Sequence, residues 1–213
     1  MFPIFDINGI ESSLRGRRDR RAILLLLVKP SDEMADSLIQ KFNYYHFDSA
    51  EACSIFAAGF SEGCFSNEYE DAYEVCSVCG RSWWYSDQCF VGLKKQLEAR
   101  LKWRYSGEIE ILILQRSMGE HSSLDFTNYV SIDALAGIRE GYIDSLPRLM
   151  ESLINASKVE VESKRVLDQA KRLSPKEIAQ EAIKTTLEAI GCPERLRQAL
   201  SNSAFYRSAK RKG

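Results

Sequence analysis

The sequence predicts an α/β domain followed by a helical C-terminal region, and three observations lead to this prediction. Residues 22–28 form an unbroken apolar run that stops before Pro30, which is typical of a strand buried on both faces. Apolar residues at helical spacing separate this run from later apolar runs. After Asp133 the composition becomes helical throughout. The predicted element order is β-α-β, a long loop, then α-β-β-α.

The first half of the domain contains two strands and one helix. Ser31 is a typical N-cap, and Met34, Leu38 and Phe42 recur at helical spacing, so a helix is expected to reach about residue 47. A second short apolar strand is expected over residues 52–58. Residues 59–85 contain several glycines and many acids, and they are expected to form a long irregular loop, a feature that is often functional.

The second half of the domain begins with a helix that Ser86 starts, and its apolar stripe includes Phe90, Leu93 and Leu97. Strands are expected over residues 109–114 and 126–132. Right-handed crossovers would make the first three strands parallel, and the last two strands could pair as a hairpin.

Helices are expected over residues 134–143, 146–173, 175–190 and 194–200. The third is well delimited, because Ser174 is its N-cap, Pro175 occupies its first position and Glu177 completes a capping box. The chain therefore divides into a basic N-terminal segment (1–21), an α/β domain (22–133) and a helical C-terminal region (134–213).

The element order over about residues 22–150 is similar to that of the thioredoxin-like fold, and a three-layer α/β domain of another topology is the alternative. Enzymes of that fold carry a reactive pair of cysteines between the first strand and the first helix. The corresponding junction here is Lys29-Pro30-Ser31-Asp32, which contains no cysteine. The resemblance therefore implies a binding or scaffold role rather than thiol chemistry at that junction.

The net charge is −1, so the chain as a whole has no strong attraction to nucleic acid or to a membrane surface. No run of about 20 apolar residues is present, and the apolar run at 22–28 has no cleavage site after it. We therefore expect a cytoplasmic protein without a membrane segment, in which the six cysteines are reduced thiols or metal ligands.

The charges are unevenly distributed along the sequence. Arginines crowd residues 15–21, whereas residues 62–87 carry six acids and a single arginine, Arg81. Such a chain could associate with itself or with a charged partner. Arg17 and Arg18 in the basic cluster could bind phosphates, but no aromatic residue alternates with them, so nucleic acid is less favoured than protein as a partner.

Cys76-Ser77-Val78-Cys79-Gly80 has the form of a turn that can direct two thiolates at one zinc ion. Cys64 and Cys89 lie on either side and could complete a four-cysteine site. The pair could instead be redox-active, although its acidic surroundings disfavour a thiolate, or it could be two ordinary thiols. The expected cofactor is therefore either zinc or none.

Three adjacent aromatic residues, Trp83, Trp84 and Tyr85, follow the cysteine pair. Tryptophan and tyrosine are common hot-spot residues at protein interfaces, so this segment is a candidate recognition surface. The same residues could also hold a long loop onto the sheet, because tryptophan is usually largely buried.

Catalytic signatures are missing: no G-x-S-x-G, H-E-x-x-H, Walker A or G-x-G-x-x-G motif is present. A metal-dependent nuclease could use Glu162-Ser163-Lys164 with Asp133 or Asp144.

The sequence favours a non-enzymatic interaction or adaptor module, an accessory subunit of a larger intracellular assembly that binds a protein partner or itself. The alternatives are a zinc-stabilised binding module built on the loop from Cys64 to Cys89, a metal-dependent nuclease, and a thiol redox enzyme.

Overall fold

The computed structural model describes residues 1–15, 22–49, 52–63, 68–116, 124–166, 175–189 and 206–208. These residues form a mixed α/β fold, as the sequence predicts, with a six-stranded mixed sheet, a smaller three-stranded sheet, and helices packed against them. One continuous hydrophobic core runs from Met1 to Tyr206 and includes residues of both sheets.

The elements are named in chain order. They are β1 (Phe2–Ile4), α1 (Ile7–Leu14), β2 (Ala22–Leu27), α2 (Ala35–Ile39), α3 (Phe42–Asp48), β3 (Cys53–Ala58), β4 (Phe60–Glu62), β5 (Tyr73–Val78), β6 (Arg81–Tyr85), α4 (Asp87–Arg100), β7 (Glu110–Arg116), β8 (Leu124–Asp133), α5 (Ala134–Arg139), α6 (Leu146–Val166), α7 (Pro175–Ala189) and β9 (Tyr206–Ser208).

The six-stranded sheet has the order β1-β3-β2-β7-β8-β9. Every residue of β2 and β3 is buried, in agreement with the apolar runs that predict them. Strands β1, β3 and β2 are parallel, and β7 and β8 form the expected antiparallel hairpin. The prediction that the third strand would be parallel to the first two is wrong, because β7 is antiparallel to β2.

The direction of β7 follows from the segment that precedes it. Helix α4 starts beside the carboxyl end of β3, where Ser86 N donates to Gly59 O at 3.1 Å. A crossover helix would deliver the chain to the opposite end of the sheet. Residues 101–109 form no helix or strand, and they return the chain to the carboxyl end, where Glu110 pairs with Leu27, the last residue of β2. The buried Leu101 and Trp103 fix this return.

The single helix predicted up to residue 47 is instead two short helices, α2 and α3. Ser31 does not cap either of them. The chain first makes a tight turn, in which Lys29 N donates to Asp32 Oδ2 at 2.8 Å and Asp32 N donates to Lys29 O at 2.9 Å. Met34 then adopts a left-handed conformation with a φ of 65°, so the helix begins only at Ala35.

The described residues between 59 and 85 do not form the irregular loop that the composition of this segment predicts. They contain the second sheet, an antiparallel arrangement with the order β4-β6-β5. Strands β5 and β6 are joined by the two-residue turn Cys79-Gly80, whose φ angles are 53° and 74°. Positive φ at both positions is the signature of a type I′ hairpin turn, which more commonly contains Asn-Gly or Asp-Gly.

The remaining helices confirm the predictions in outline. Ser86 caps α4 by accepting a hydrogen bond from Cys89 N, and α5, α6 and α7 lie where helices were expected. The predicted residues 167–173 and 194–200 lie outside the described residues. Strand β1, helix α1 and strand β9 were not predicted from the sequence. Among the described helices, none combines the length and apolar composition that crossing a lipid bilayer requires.

Candidate interaction surface on the second sheet

The aromatic residues Trp83, Trp84 and Tyr85 form the end of β6, the central strand of the second sheet. Successive side chains of a strand point to opposite faces, so Trp83 and Tyr85 share one face and Trp84 points to the other. Trp83 and Tyr85 are each 1% exposed, whereas Trp84 is partly exposed. Of the three aromatic residues, only Trp84 is available to a partner.

The inner face of the second sheet packs on the rest of the protein through aromatic rings. The Trp83 ring centroid lies 5.9 Å from that of Phe42 in α3 and 6.1 Å from that of Phe60 in β4. The rings of Phe60 and Tyr85 meet edge to face at 5.2 Å. Such pairs add about 0.5–1.5 kcal/mol each beyond their buried area, so this face anchors the sheet.

The outer face of the second sheet presents the Trp84 indole ring, and the residues opposite it on the two adjacent strands are small or charged. Trp84 lies between Ser61 of β4 and Glu74 of β5 in the strand register. No described residue accepts a hydrogen bond from the Trp84 indole N–H, and within the described chain no aromatic ring stacks on it. On the edge strand β5, Tyr73 is 45% exposed, but it lies opposite Tyr85 on the side of the inner face. The Trp84 indole, on the central strand, is thus the ring that the outer face offers to a partner.

The surroundings of this face are acidic. Arg81, the one cation between residues 62 and 87, pairs with Glu62 at 2.7 Å. The exposed acids of this stretch include Glu68, Glu70, Glu74 and Asp87, and the strand register places Glu74 beside Trp84. This face therefore favours a partner with basic side chains.

Asp71 fixes the segment before β5 to the start of α4. Its carboxylate accepts hydrogen bonds from Ser86 Oγ at 2.7 Å and from Gln88 N at 3.0 Å. Although burial opposes ionisation, these hydrogen bonds outweigh it and lower the pKa of Asp71. The edge strand β5 is thus held at the end nearer Tyr73 as well as at its hairpin turn.

Of the four cysteines proposed as zinc ligands, the three that the structure describes do not form a metal-binding group. Cys79 is exposed in the hairpin turn, Cys76 is partly buried in β5, and Cys89 is buried in the first turn of α4. Strand β6 separates Cys79 from Cys89 by about 15 Å at the usual rise per residue. Cys64 lies outside the described residues. Elsewhere in those residues, too, no three or more His, Cys, Asp or Glu side chains form a group that could hold a metal ion.

Cys76 is expected to react with iodoacetamide at least about tenfold more slowly than Cys79 at pH 8. Burial, and then the charge of Glu74, raise the pKa of the Cys76 thiol to about 11, so only about 0.1% of it is thiolate at this pH. Peptide mapping after a timed alkylation measures both rates. Equal rates would show that Cys76 is not shielded by the sheet. A raised pKa is also the opposite of what a redox-active pair requires.

A group of polar residues at the carboxyl end of β2 was not predicted from the sequence. Burial raises the pKa of Asp32, and the Lys29 ammonium lies 5.3 Å from the Phe90 ring centroid. Ligands often bind at this edge of an α/β sheet. Here the carboxylates already serve the fold, because Asp32 accepts from Lys29 N and Asp133 caps α5 by accepting from Ala136 N at 3.0 Å.

A nuclease metal site of the kind considered needs its acidic residues at the ends of adjacent strands, and Glu162 does not meet this requirement. Glu162 lies within helix α6, not on a strand. Asp133 caps α5. Asp144 forms an ion pair at 3.1 Å with Arg148, four residues later in the chain. The candidate phosphate-binding residues Arg17 and Arg18 lie outside the described residues.

No known protein-family model matches this chain, and no curated protein or solved structure is significantly similar to it. The function therefore has to be inferred from the surface itself.

Proposed function

We propose that this protein is a non-enzymatic interaction module, an accessory subunit of a larger intracellular assembly, and that it binds its protein partner through the outer face of the second sheet. One observation carries the proposal: Trp84 is partly exposed, while the aromatic residues on both sides of it are buried. A large side chain held on a rigid strand suits a hot spot, because little conformational freedom is lost on binding.

The charges around Trp84 support a basic partner. Glu74 lies directly opposite Trp84 in the register, and a guanidinium group stacked on the indole could pair with this carboxylate. The arginines at residues 15–21 of a second copy have the same chemistry, so self-association is one form that the interaction can take.

The setting that we propose is the cytoplasm, and the fold that we propose is thioredoxin-like. Three cysteines of the described chain, Cys76, Cys79 and Cys89, are free thiols, which suits a reducing compartment. The fold proposal is supported by the parallel pair β2 and β3 on either side of α2 and α3, followed by α4 and the β7–β8 hairpin.

Replacing Trp84 by alanine is expected to reduce recovery of the partner by at least about tenfold, because loss of a hot-spot side chain costs about 2 kcal/mol or more of binding free energy. The measurement is quantitative mass spectrometry of proteins that co-purify with the tagged full chain after mild cross-linking in its own cells. Sedimentation velocity of the purified chain tests self-association with the same variant.

Ser77→Ala is the matched control, because Ser77 is exposed on the same sheet and contributes little contact area. It should leave the recovered proteins unchanged. If the Trp84→Ala chain folds normally and recovers the same partners in the same amounts as the unmodified chain, the outer face is not the interaction surface.

A further inference from the structure

A short strand near the end of the described chain completes the large sheet. Strand β9 pairs antiparallel with the edge of β8, with Arg207 opposite Ser131 and Tyr206 opposite Ile132. Only three residues take part, which is short for a strand. Backbone pairing over so few residues contributes little binding energy by itself, so side chains must supply the rest.

The side chain that does so is Arg207. Its Nη2 atom reaches past β8 and donates to Glu110 Oε1 on β7 at 2.8 Å. Glu110 is completely buried, whereas about a third of the Arg207 side chain remains exposed. The contact therefore joins an edge strand that is open to solvent to a carboxylate in the interior of the protein.

Glu110 is held by the rest of the fold in a position to receive this group. Its Oε2 atom accepts from Trp103 Nε1 at 2.8 Å and from Ser131 Oγ at 2.7 Å, and its Oε1 atom accepts from Ser106 N at 2.6 Å. All three donors are neutral. Within the described chain, Arg207 is the only cation paired with this carboxylate. A buried carboxylate without a countercharge is costly, so the site requires a cation from the edge.

The geometry selects arginine over lysine. While Nη2 donates to Glu110, the other terminal nitrogen, Nη1, donates to the carbonyl oxygen of Arg104 at 3.1 Å. A planar guanidinium can bridge these two acceptors, but an ammonium group is a single point of charge and matches this fork poorly.

From this arrangement we propose that the edge of β8, with Glu110 behind it, is a binding site for an extended peptide segment that carries an arginine, and that residues 206–208 are its occupant within the same chain. Addition of a strand to an exposed sheet edge is a common mode of peptide recognition, in which backbone pairing gives affinity and one side-chain site gives specificity. The proposal concerns the large sheet and does not depend on Trp84.

The test uses a fluorescent peptide with the sequence of residues 203–211 and the full chain carrying Arg207→Ala. Arg207→Ala weakens the pairing of β9 with β8 and so makes the edge of β8 more accessible to the peptide. In the unmodified chain, residues 206–208 occupy this edge at a high effective concentration, because they belong to the same molecule. We therefore expect the peptide to bind the variant at least about tenfold more tightly than it binds the unmodified chain. Changing the arginine at position 207 of the peptide to lysine should weaken binding to the variant by about tenfold or more.

Fluorescence anisotropy measures both affinities, and circular dichroism establishes that the variant is folded. If Arg207→Ala does not fold, the same titration is made with Arg207→Lys, which retains the charge. Arg148→Ala is the control for the chain: it removes an arginine whose ion pair with Asp144 lies at the surface, so this variant should bind the peptide as weakly as the unmodified chain does. Failure of the peptide to bind the folded variant, or equal binding of the arginine and lysine peptides, would overturn the proposal.

Discussion

Replacing Glu110 by alanine is expected to lower the free energy of unfolding by about 3 kcal/mol, the lower end of the range for removing one partner of a buried ion pair. The lower end applies because 34% of the Arg207 side chain remains exposed. The change leaves the Trp103 indole N–H and the Ser106 N–H without their carboxylate acceptor. Urea unfolding at pH 7, followed by tryptophan fluorescence, measures the loss.

Glu108→Ala is the matched control for this change. Glu108 is only two residues away and also pairs with an arginine, Arg139, at 2.7 Å, but that pair lies at the surface. Exposed pairs contribute little to stability, so the control should lose far less than Glu110→Ala. Similar losses for the two variants would mean that Glu110 is not the buried centre of a hydrogen-bond network.

Replacing Trp83 by alanine is expected to lower the free energy of unfolding by about 3–5 kcal/mol, because it opens a cavity between α3 and the second sheet. The ring is 1% exposed and contacts Phe42 and Phe60. Chemical unfolding measures the effect, and the neighbouring Trp84→Ala variant is the control, with an expected loss within about 1 kcal/mol.

Trp83→Phe separates packing from hydrogen bonding at this position. The Trp83 indole N–H is buried and has no acceptor among the described residues. Phenylalanine keeps a ring in the core and removes this unsatisfied donor, so it should recover most of the loss. If Trp83→Ala were no more destabilising than Trp84→Ala, the assignment of the two faces of β6 would be wrong.

Elements with a continuous or periodic apolar pattern could be predicted from the sequence. Strand β2 is buried along its whole length, and helix α4 has both a serine cap and an apolar stripe, so each has a strong local signal. Strands β1 and β9 are three residues long, too short to show a period. The β5–β6 hairpin was missed because its turn has cysteine where asparagine or aspartate is usual.

The direction of β7 and the site around Glu110 depend on contacts between residues far apart in the chain. Leu101 and Trp103 bury the segment that returns the chain to the carboxyl end of the sheet, and no local pattern indicates this return. Arg207 lies 97 residues after Glu110, so no local sequence pattern indicates that the two residues pair. An acid at the start of an apolar strand gives no sign that it is fully buried.

The segment Trp83-Trp84-Tyr85 shows which features of a surface can be predicted from local sequence and which cannot. Three adjacent aromatic residues are visible in the sequence and point to a special surface. Whether one or all of them face solvent depends on the secondary structure. In a loop the three could point in any direction, but in strand β6 the alternation of side chains selects Trp84 alone.

Hydroxyl-radical footprinting of the purified complex tests the role of Trp84 most directly. In the free chain, Trp84 should be oxidised while Trp83 is protected, because only the former is exposed to solvent. In the complex, oxidation of Trp84 is expected to fall by roughly fivefold or more, since hot-spot residues are shielded from water by the contacts around them. A complex in which Trp84 is oxidised as fast as in the free chain would contradict the proposed interaction surface.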